Sequence, residues 1–156
     1  MGPGRGYFGR SMKRILVCLD ASPRAAFVLG VATDLATRTG AKLLLLRSVG
    51  LPAEIDQEMY VHGANLADVL VEKAKKELVA LGAMVPPELI EGFDVHIGSP
   101  WDTICREAMA RDCDLVILGS HGYSGLDRVL GTTAAKVVNH CEVSVLVARQ
   151  PKTTAA

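Results

Sequence analysis

The sequence predicts an α/β fold: a single domain built on an open, parallel, five-stranded sheet with helices on both faces. Three observations predict it. Five short segments, at residues 15–19, 41–49, 93–97, 115–118 and 143–148, are apolar almost throughout, as strands covered on both faces must be. Stretches of helical period with start and stop residues lie between them, and strictly alternating strand and helix implies parallel pairing. A chain of 156 residues that is 49% hydrophobic and 22% charged can bury roughly two thirds of its unfolded surface in one core.

The elements follow in order. Residues 1–12, with Gly2, Gly4, Gly6 and Gly9, are expected to form a flexible segment, and composition leaves open a natural start at Met12. The folded domain is expected to span residues 13–149, with residues 150–156 as a flexible tail. After the first strand come Asp20, Ala21, Ser22 and Pro23; Ser22 suits a helix N-cap and Pro23 the first helical position. The helix runs to about Arg38, packs through Ala25, Ala26, Leu29, Ala32, Leu35 and Ala36, and ends at Gly40. A connector containing Pro52 leads to a second helix over about 64–81, with Leu66, Val69, Leu70, Lys73, Ala74, Glu77, Leu78 and Leu81 on one stripe and Gly82 as its stop. Pro86 and Pro87 bar its continuation. Gly98-Ser99-Pro100 repeats the cap-then-proline start, opening a helix to about Arg111 with Ile104, Cys105 and Ala108 inward. The last helix spans about 132–140.

Seventeen basic and seventeen acidic residues balance to a net charge of +0, which argues against a nucleic-acid partner held by broad phosphate neutralisation. The longest apolar runs fall far short of the roughly 18 residues that cross a bilayer, and residues 1–12 lack the apolar stretch of a secretory signal. No membrane association and a cytoplasmic location are therefore expected. Cys18, Cys105, Cys113 and Cys141 fall singly, without metal-ligand spacing, and are read as buried free thiols.

In an open parallel sheet, ligands bind beyond the carboxyl ends of the strands, where strand order reverses. The first strand ends in Asp20. The fourth ends in Gly119, Ser120, His121 and Gly122, and a loop then reaches Gly131, Thr132 and Thr133 at a helix start. Glycines admit a phosphate close to backbone N–H groups, and a helix N-terminus adds free donors and partial positive charge. Taken alone, the glycines could equally serve as turns; hydroxyls at Ser120, Thr132 and Thr133 favour the phosphate reading.

These residues resemble the ATP-binding members of the universal stress protein family, over residues 13–149. That family carries G-x-x-G, nine residues, then G-[S/T], matched here by Gly119, Gly122, Gly131 and Thr132, with Asp20 after the first strand. Only eight residues separate Gly122 from Gly131, one fewer than the family pattern. The resemblance implies a Rossmann-like sheet of the adenine nucleotide alpha hydrolase-like type. ATP, with Mg²⁺ or Mn²⁺, would be held by Asp20, Ser48, Gly119, Ser120, His121, Gly122, Gly131, Thr132 and Thr133. Asp20 would face the adenosine, Ser48 would line the adenine pocket beside Arg47, and Thr132 and Thr133 would donate to phosphate. The resemblance also implies a homodimer paired through the last strand, Val143-Ser144-Val145-Leu146-Val147.

Other signals are set aside. Gly4-Arg5-Gly6-Tyr7-Phe8-Gly9 spells a dinucleotide fingerprint but precedes the first strand, and no P-loop lysine motif occurs. Phosphate charge would fall to backbone donors, a divalent ion, Arg128 or Lys136. His62, His96 and His140 read as surface or packing residues and Trp101 as packing; Asp112 and Asp114 precede the fourth strand, at the opposite end from the crevice. Three functions follow: a nucleotide-binding regulatory domain with no catalytic residues, a slow ATPase, or a dimeric interaction module without nucleotide.

Overall fold

The computed structural model describes residues 11–50, 66–120 and 130–151. Five strands, β1 (Arg14–Cys18), β2 (Lys42–Val49), β3 (Ile90–Ile97), β4 (Leu115–Gly119) and β5 (Ser144–Ala148), form one sheet in the order β3-β2-β1-β4-β5. Every pair is parallel. The crossovers are α1 (Ala25–Thr39), α2 (Leu66–Gly82), α3 (Pro100–Ala110) and α4 (Thr132–His140). The chain steps outward from β1 to β3 and then returns to the other side of β1, so strand order reverses between β1 and β4.

Successive strand residues face opposite ways, and both faces are covered. Ile15, Val17, Leu43, Leu45, Leu115 and Ile117 pack with Val28, Leu29 and Ala32 of α1 and Leu78 of α2. Leu16, Leu44, Leu46, Val116 and Leu118 pack with Ile104 and Ala108 of α3 and Ala134 and Val137 of α4. This two-sided burial is why the central strands carry no polar alternation. Among the described residues no helix is long and apolar enough to cross a membrane.

Several local expectations are corrected. The first helix opens at Ala25, not Pro23, and Arg24 stands at its N-cap without a side-chain bond. Ser22 instead sits in the preceding turn, where its hydroxyl accepts from the Arg24 N–H (3.3 Å). Ala26 faces solvent and Val28 takes the core position. Gly40 does end α1, in the left-handed region (φ 76°), its N–H donating to the Ala36 carbonyl (2.8 Å).

Gly82 ends α2, as expected, and has a second role. It is buried at the last position of α2, where a Cβ would lie 2.4 Å from the Phe93 ring, so its lack of a side chain lets α2 close on β3. Val69, assigned to the inward stripe of α2, is 51% exposed. The third strand starts at Ile90 instead of Phe93, fed by a single 3-10 turn at Pro87–Leu89.

The lower end of the sheet is closed by ionic groups. One oxygen of Asp114 accepts the N–H groups of Lys13 (2.8 Å) and Arg14 (3.0 Å). The Arg14 guanidinium donates to Glu91 (Nε to Oε2 2.6 Å) and to the Arg111 carbonyl. Its hydrogen bond, reinforced by its charge, holds the Glu91 carboxyl below the ordinary carboxylate value of 4.5. A depressed folded value contributes stability that is complete above the unfolded pKa and lost as pH falls through the folded one. Glu91→Gln is therefore expected to lower the thermal midpoint at pH 7, by an amount equivalent to about 1 kcal/mol or less. The two midpoints should converge as pH is taken below about 4.5. A gap that persists in acid would assign the effect to shape and not to charge.

Candidate functional site

The order reversal places the ends of β1 and β4 side by side, and both bear residues singled out from the sequence. Beyond β1, Leu19 continues the pairing by donating its N–H to the Leu46 carbonyl (2.9 Å), and the chain then turns at the exposed Asp20. The carboxylate Oδ1 of Asp20 accepts the Ser22 N–H (2.9 Å), closing a turn that fixes the side chain at the strand end.

Gly119 is the last residue of β4, and a Cβ there would lie 3.3 Å from Val28 Cγ2, so the strand end sits close against α1. Ser120 is buried, and its N–H donates to the Ala148 carbonyl of β5 (3.2 Å). Its own carbonyl accepts the Gly131 N–H (2.9 Å). That single bond fastens the start of α4 to the end of β4.

Gly131 is the N-cap of α4, and the first helical bond runs from the Ala135 N–H to the Gly131 carbonyl (2.9 Å). The N–H groups of residues 132–134 therefore lie outside the ladder of the helix itself. The first turn of α4 holds no acidic residue, so its positive end is not neutralised from within the helix. Thr132 is exposed and Thr133 half-buried in that turn.

Asp20, Gly119, Ser120, Gly131, Thr132 and Thr133 are thus at the carboxyl ends of β1 and β4 or the adjoining helix start. His121, Gly122 and Arg128 lie outside the described residues, as does the eight-residue interval before Gly131. Ser48 is near the end of β2, but its hydroxyl donates to the Gly98 carbonyl beyond β3 (2.9 Å). Lys136, a candidate for phosphate charge, instead lies with Nζ 5.7 Å from the Trp101 ring centroid. That ring also packs against His140, 5.1 Å between centroids, joining α3 to α4 as a packing residue.

Two polar groupings escaped the sequence reading. Arg47 is buried at the sixth position of β2 and reaches the carbonyls of Leu19 (3.3 Å) and Asp20 (3.0 Å) and the Glu77 carboxylate (2.5 Å). An arginine directly after four buried leucines is the signal that could have found it. On the α3 side of β3, Asp94, His96 and Glu107 bring their polar atoms within 4.8 Å of one another. There His96 Nε2 lies 3.6 Å from Glu107 Oε2, and the Arg111 guanidinium meets both Asp94 (2.5 Å) and Glu107 (3.5 Å). Arg111 thus supplies the positive charge between the two carboxylates, on the α3-facing side of the edge strand β3.

The four cysteines are free thiols, as expected, within or against the cluster on the α3 and α4 face, but only Cys113 is buried and Cys18, Cys105 and Cys141 are half-buried. Burial pushes the thiols of Cys105 and Cys113 up to about 11, and that of Cys18 further. At neutral pH these three thiols stay protonated and poorly nucleophilic.

This architecture recurs in proteins of known structure. The universal stress protein UspA from Lactobacillus plantarum superposes with a TM-score of 0.73 at 27% identity, covering 90% of this chain and 99% of that one. The universal stress protein from Archaeoglobus fulgidus, solved in complex with dAMP, shares the fold at a TM-score of 0.55 and 20% identity, over 88% of this chain and 98% of that one. A universal stress protein solved in complex with cAMP shares it at 0.58 and 23%, over 90% and 98%. Among curated relatives, universal stress protein MJ0531 of Methanocaldococcus jannaschii is 31% identical over 112 residues, 67% of this chain and 59% of that protein. Universal stress protein A homolog 1 of Coxiella burnetii is 28% identical over 141 residues, 86% of this chain and 94% of that protein. The sequence pattern that defines the family matches residues 12–149, from the segment before β1 to the end of β5, and the chain belongs to the universal stress protein family.

Proposed function

We propose that this chain binds an adenine nucleotide, ATP together with Mg²⁺ or Mn²⁺, at the carboxyl ends of β1 and β4, and acts as a dimeric stress-response regulator. The observation that carries the reading is the start of α4, free of acidic residues and fastened by the Ser120–Gly131 bond beside the end of β4, next to β1 and the turn at Asp20 that follows it. Backbone N–H groups at a helix start suit phosphate oxygens. In this reading the Asp20 carboxylate accepts from ribose hydroxyls, Thr132 and Thr133 donate to phosphate, and Ser48 lines the base. Gly119, Ser120, His121, Gly122 and Gly131 complete the cradle. The complexes of two proteins of this fold with cAMP and dAMP support an adenine nucleotide as the ligand class. β5 is an edge strand, which supports pairing of two copies through residues 143–147.

A second reading, a dimeric interaction module without nucleotide, is favoured by the eight-residue interval between Gly122 and Gly131. Denaturing freshly purified protein and resolving the supernatant by anion exchange, alongside an ATP titration of nucleotide-free protein with Mg²⁺ or Mn²⁺, separates the two. Nucleotide near one per chain, released or bound, is the expected result. No release, and no binding at millimolar ATP, would leave the interaction module.

A further inference from the structure

Arg47 presents a problem that packing alone does not solve. It follows Leu43, Leu44, Leu45 and Leu46 on an interior strand, and its side chain is only 7% exposed. Burying a guanidinium costs stability unless its donors are all met, and an apolar residue of similar volume would fill the same space at no such cost. Each of its three nitrogens donates to a specific group. Nε donates to the Leu19 carbonyl (3.3 Å), Nη2 to the Asp20 carbonyl (3.0 Å) and Nη1 to Glu77 Oε2 on α2 (2.5 Å).

Two of those acceptors are consecutive carbonyls where the chain leaves β1, and the second belongs to Asp20. Asp20 is therefore held from two directions: its carbonyl by Arg47, and its side-chain Oδ1 by the Ser22 N–H (2.9 Å). An apolar residue at 47 could fill the volume but could not hold the turn. We infer that Arg47, anchored by Glu77, is a positioning residue that sets the Asp20 carboxylate for nucleotide, an inference that rests on the binding reading above.

The pair also connects the site to α2. Glu77 is 44% exposed, so the anchor of a buried clamp stands at the surface of a helix that contributes no group to the proposed cradle. Holding a ligand-binding group in place before the ligand arrives raises affinity by removing the cost of ordering it later.

The test compares the full-length parent with Arg47→Met, Arg47→Lys and Glu77→Gln by ATP titration. Hydrogen exchange of the ligand-free proteins is followed at the Ser22 and Arg24 amides. Methionine keeps the apolar volume, and lysine keeps the charge but not the fork that spans three acceptors. Arg47→Met is expected to weaken ATP binding at least tenfold and to speed exchange at Ser22 and Arg24, while amides of β1 and β4 stay protected. Arg47→Lys should recover part of both effects, and Glu77→Gln should weaken binding two- to fivefold. Faster exchange across the whole sheet would mark a general structural role and overturn the inference. Parent-like binding and exchange in the variants would overturn it too. Should Arg47→Met fail to fold, Arg47→Lys and Glu77→Gln decide the matter on the same readouts. A parent chain that binds no ATP refutes the nucleotide reading itself, and the exchange data then show whether the clamp on the turn exists without it.

Discussion

Replacing Leu45 by alanine is expected to lower the unfolding free energy by roughly 2–5 kcal/mol. Leu45 is fully buried on β2, an interior strand, in register with Val17 on one side and Phe93 on the other. It lies in the cluster under α1 and α2, so truncation removes apolar contact and leaves a void walled by rigid strands. For a domain of this size the midpoint should fall by roughly 5–15 °C. Urea unfolding checks it, with a shifted midpoint and an unchanged slope. Val79→Ala is the control: on α2 and 45% exposed, it should stay within about 0.5 kcal/mol of the parent. A Leu45→Ala loss no larger than that control would mean that the sheet is not covered on the α1 and α2 face.

The second large effect concerns Asp20 and separates two jobs done by one carboxylate. Asp20→Ala removes both the turn bond to the Ser22 N–H and the charge, whereas Asp20→Asn can keep the first through its amide oxygen. A hydrogen bond to a charged group contributes roughly 1.5–3 kcal/mol, so Asp20→Ala should weaken ATP binding on the order of 10- to 100-fold. Asp20→Asn should lie between parent and alanine. Because Asp20 is exposed, neither variant should move the thermal midpoint by more than about 1 kcal/mol equivalent. Calorimetric titration with thermal melts of the same samples checks both parts. Equal affinity in all three proteins would remove Asp20 from the site.

The sheet was legible in the sequence because burial on both faces strips strands of polar residues, and the central runs at residues 15–19, 43–46 and 115–118 show that pattern. The start of β3 was not. As an edge strand it tolerates Glu91 and Gly92, residues that read locally as loop. Gly40 and Gly82 look alike in sequence, each at the end of a helical stripe, yet one is a left-handed cap and the other makes room for Phe93. Only the packing of α2 on β3 tells them apart.

Of the proposed site, the placement of Asp20, Gly119, Ser120, Gly131 and Thr132 at strand and helix ends was legible because turn and cap chemistry is local. Arg47 was noted only as a neighbour of Ser48 and its bonds were not recognised, since its partners are 28 residues back at Leu19 and 30 ahead at Glu77. The bond from the Ser48 hydroxyl to the Gly98 carbonyl was not legible either, with its partner 50 residues away. Local pattern carries no information about such partners.

The Asp114 carboxylate that gathers the Lys13 and Arg14 amides has a practical consequence for handling the protein. It fixes where the chain enters the sheet, at the amino end of the central strand, while Asp20 lies at the other end. A five-residue strand separates them by about 15 Å. A linker or surface attachment placed ahead of Met12 would leave from the underside and present the strand ends to the solution. One placed after Pro151 would leave beside Ala148, the residue that Ser120 is bonded to, and would crowd the opening. Amino-terminal immobilisation is the orientation in which a sensor surface would report the nucleotide binding proposed between β1 and β4.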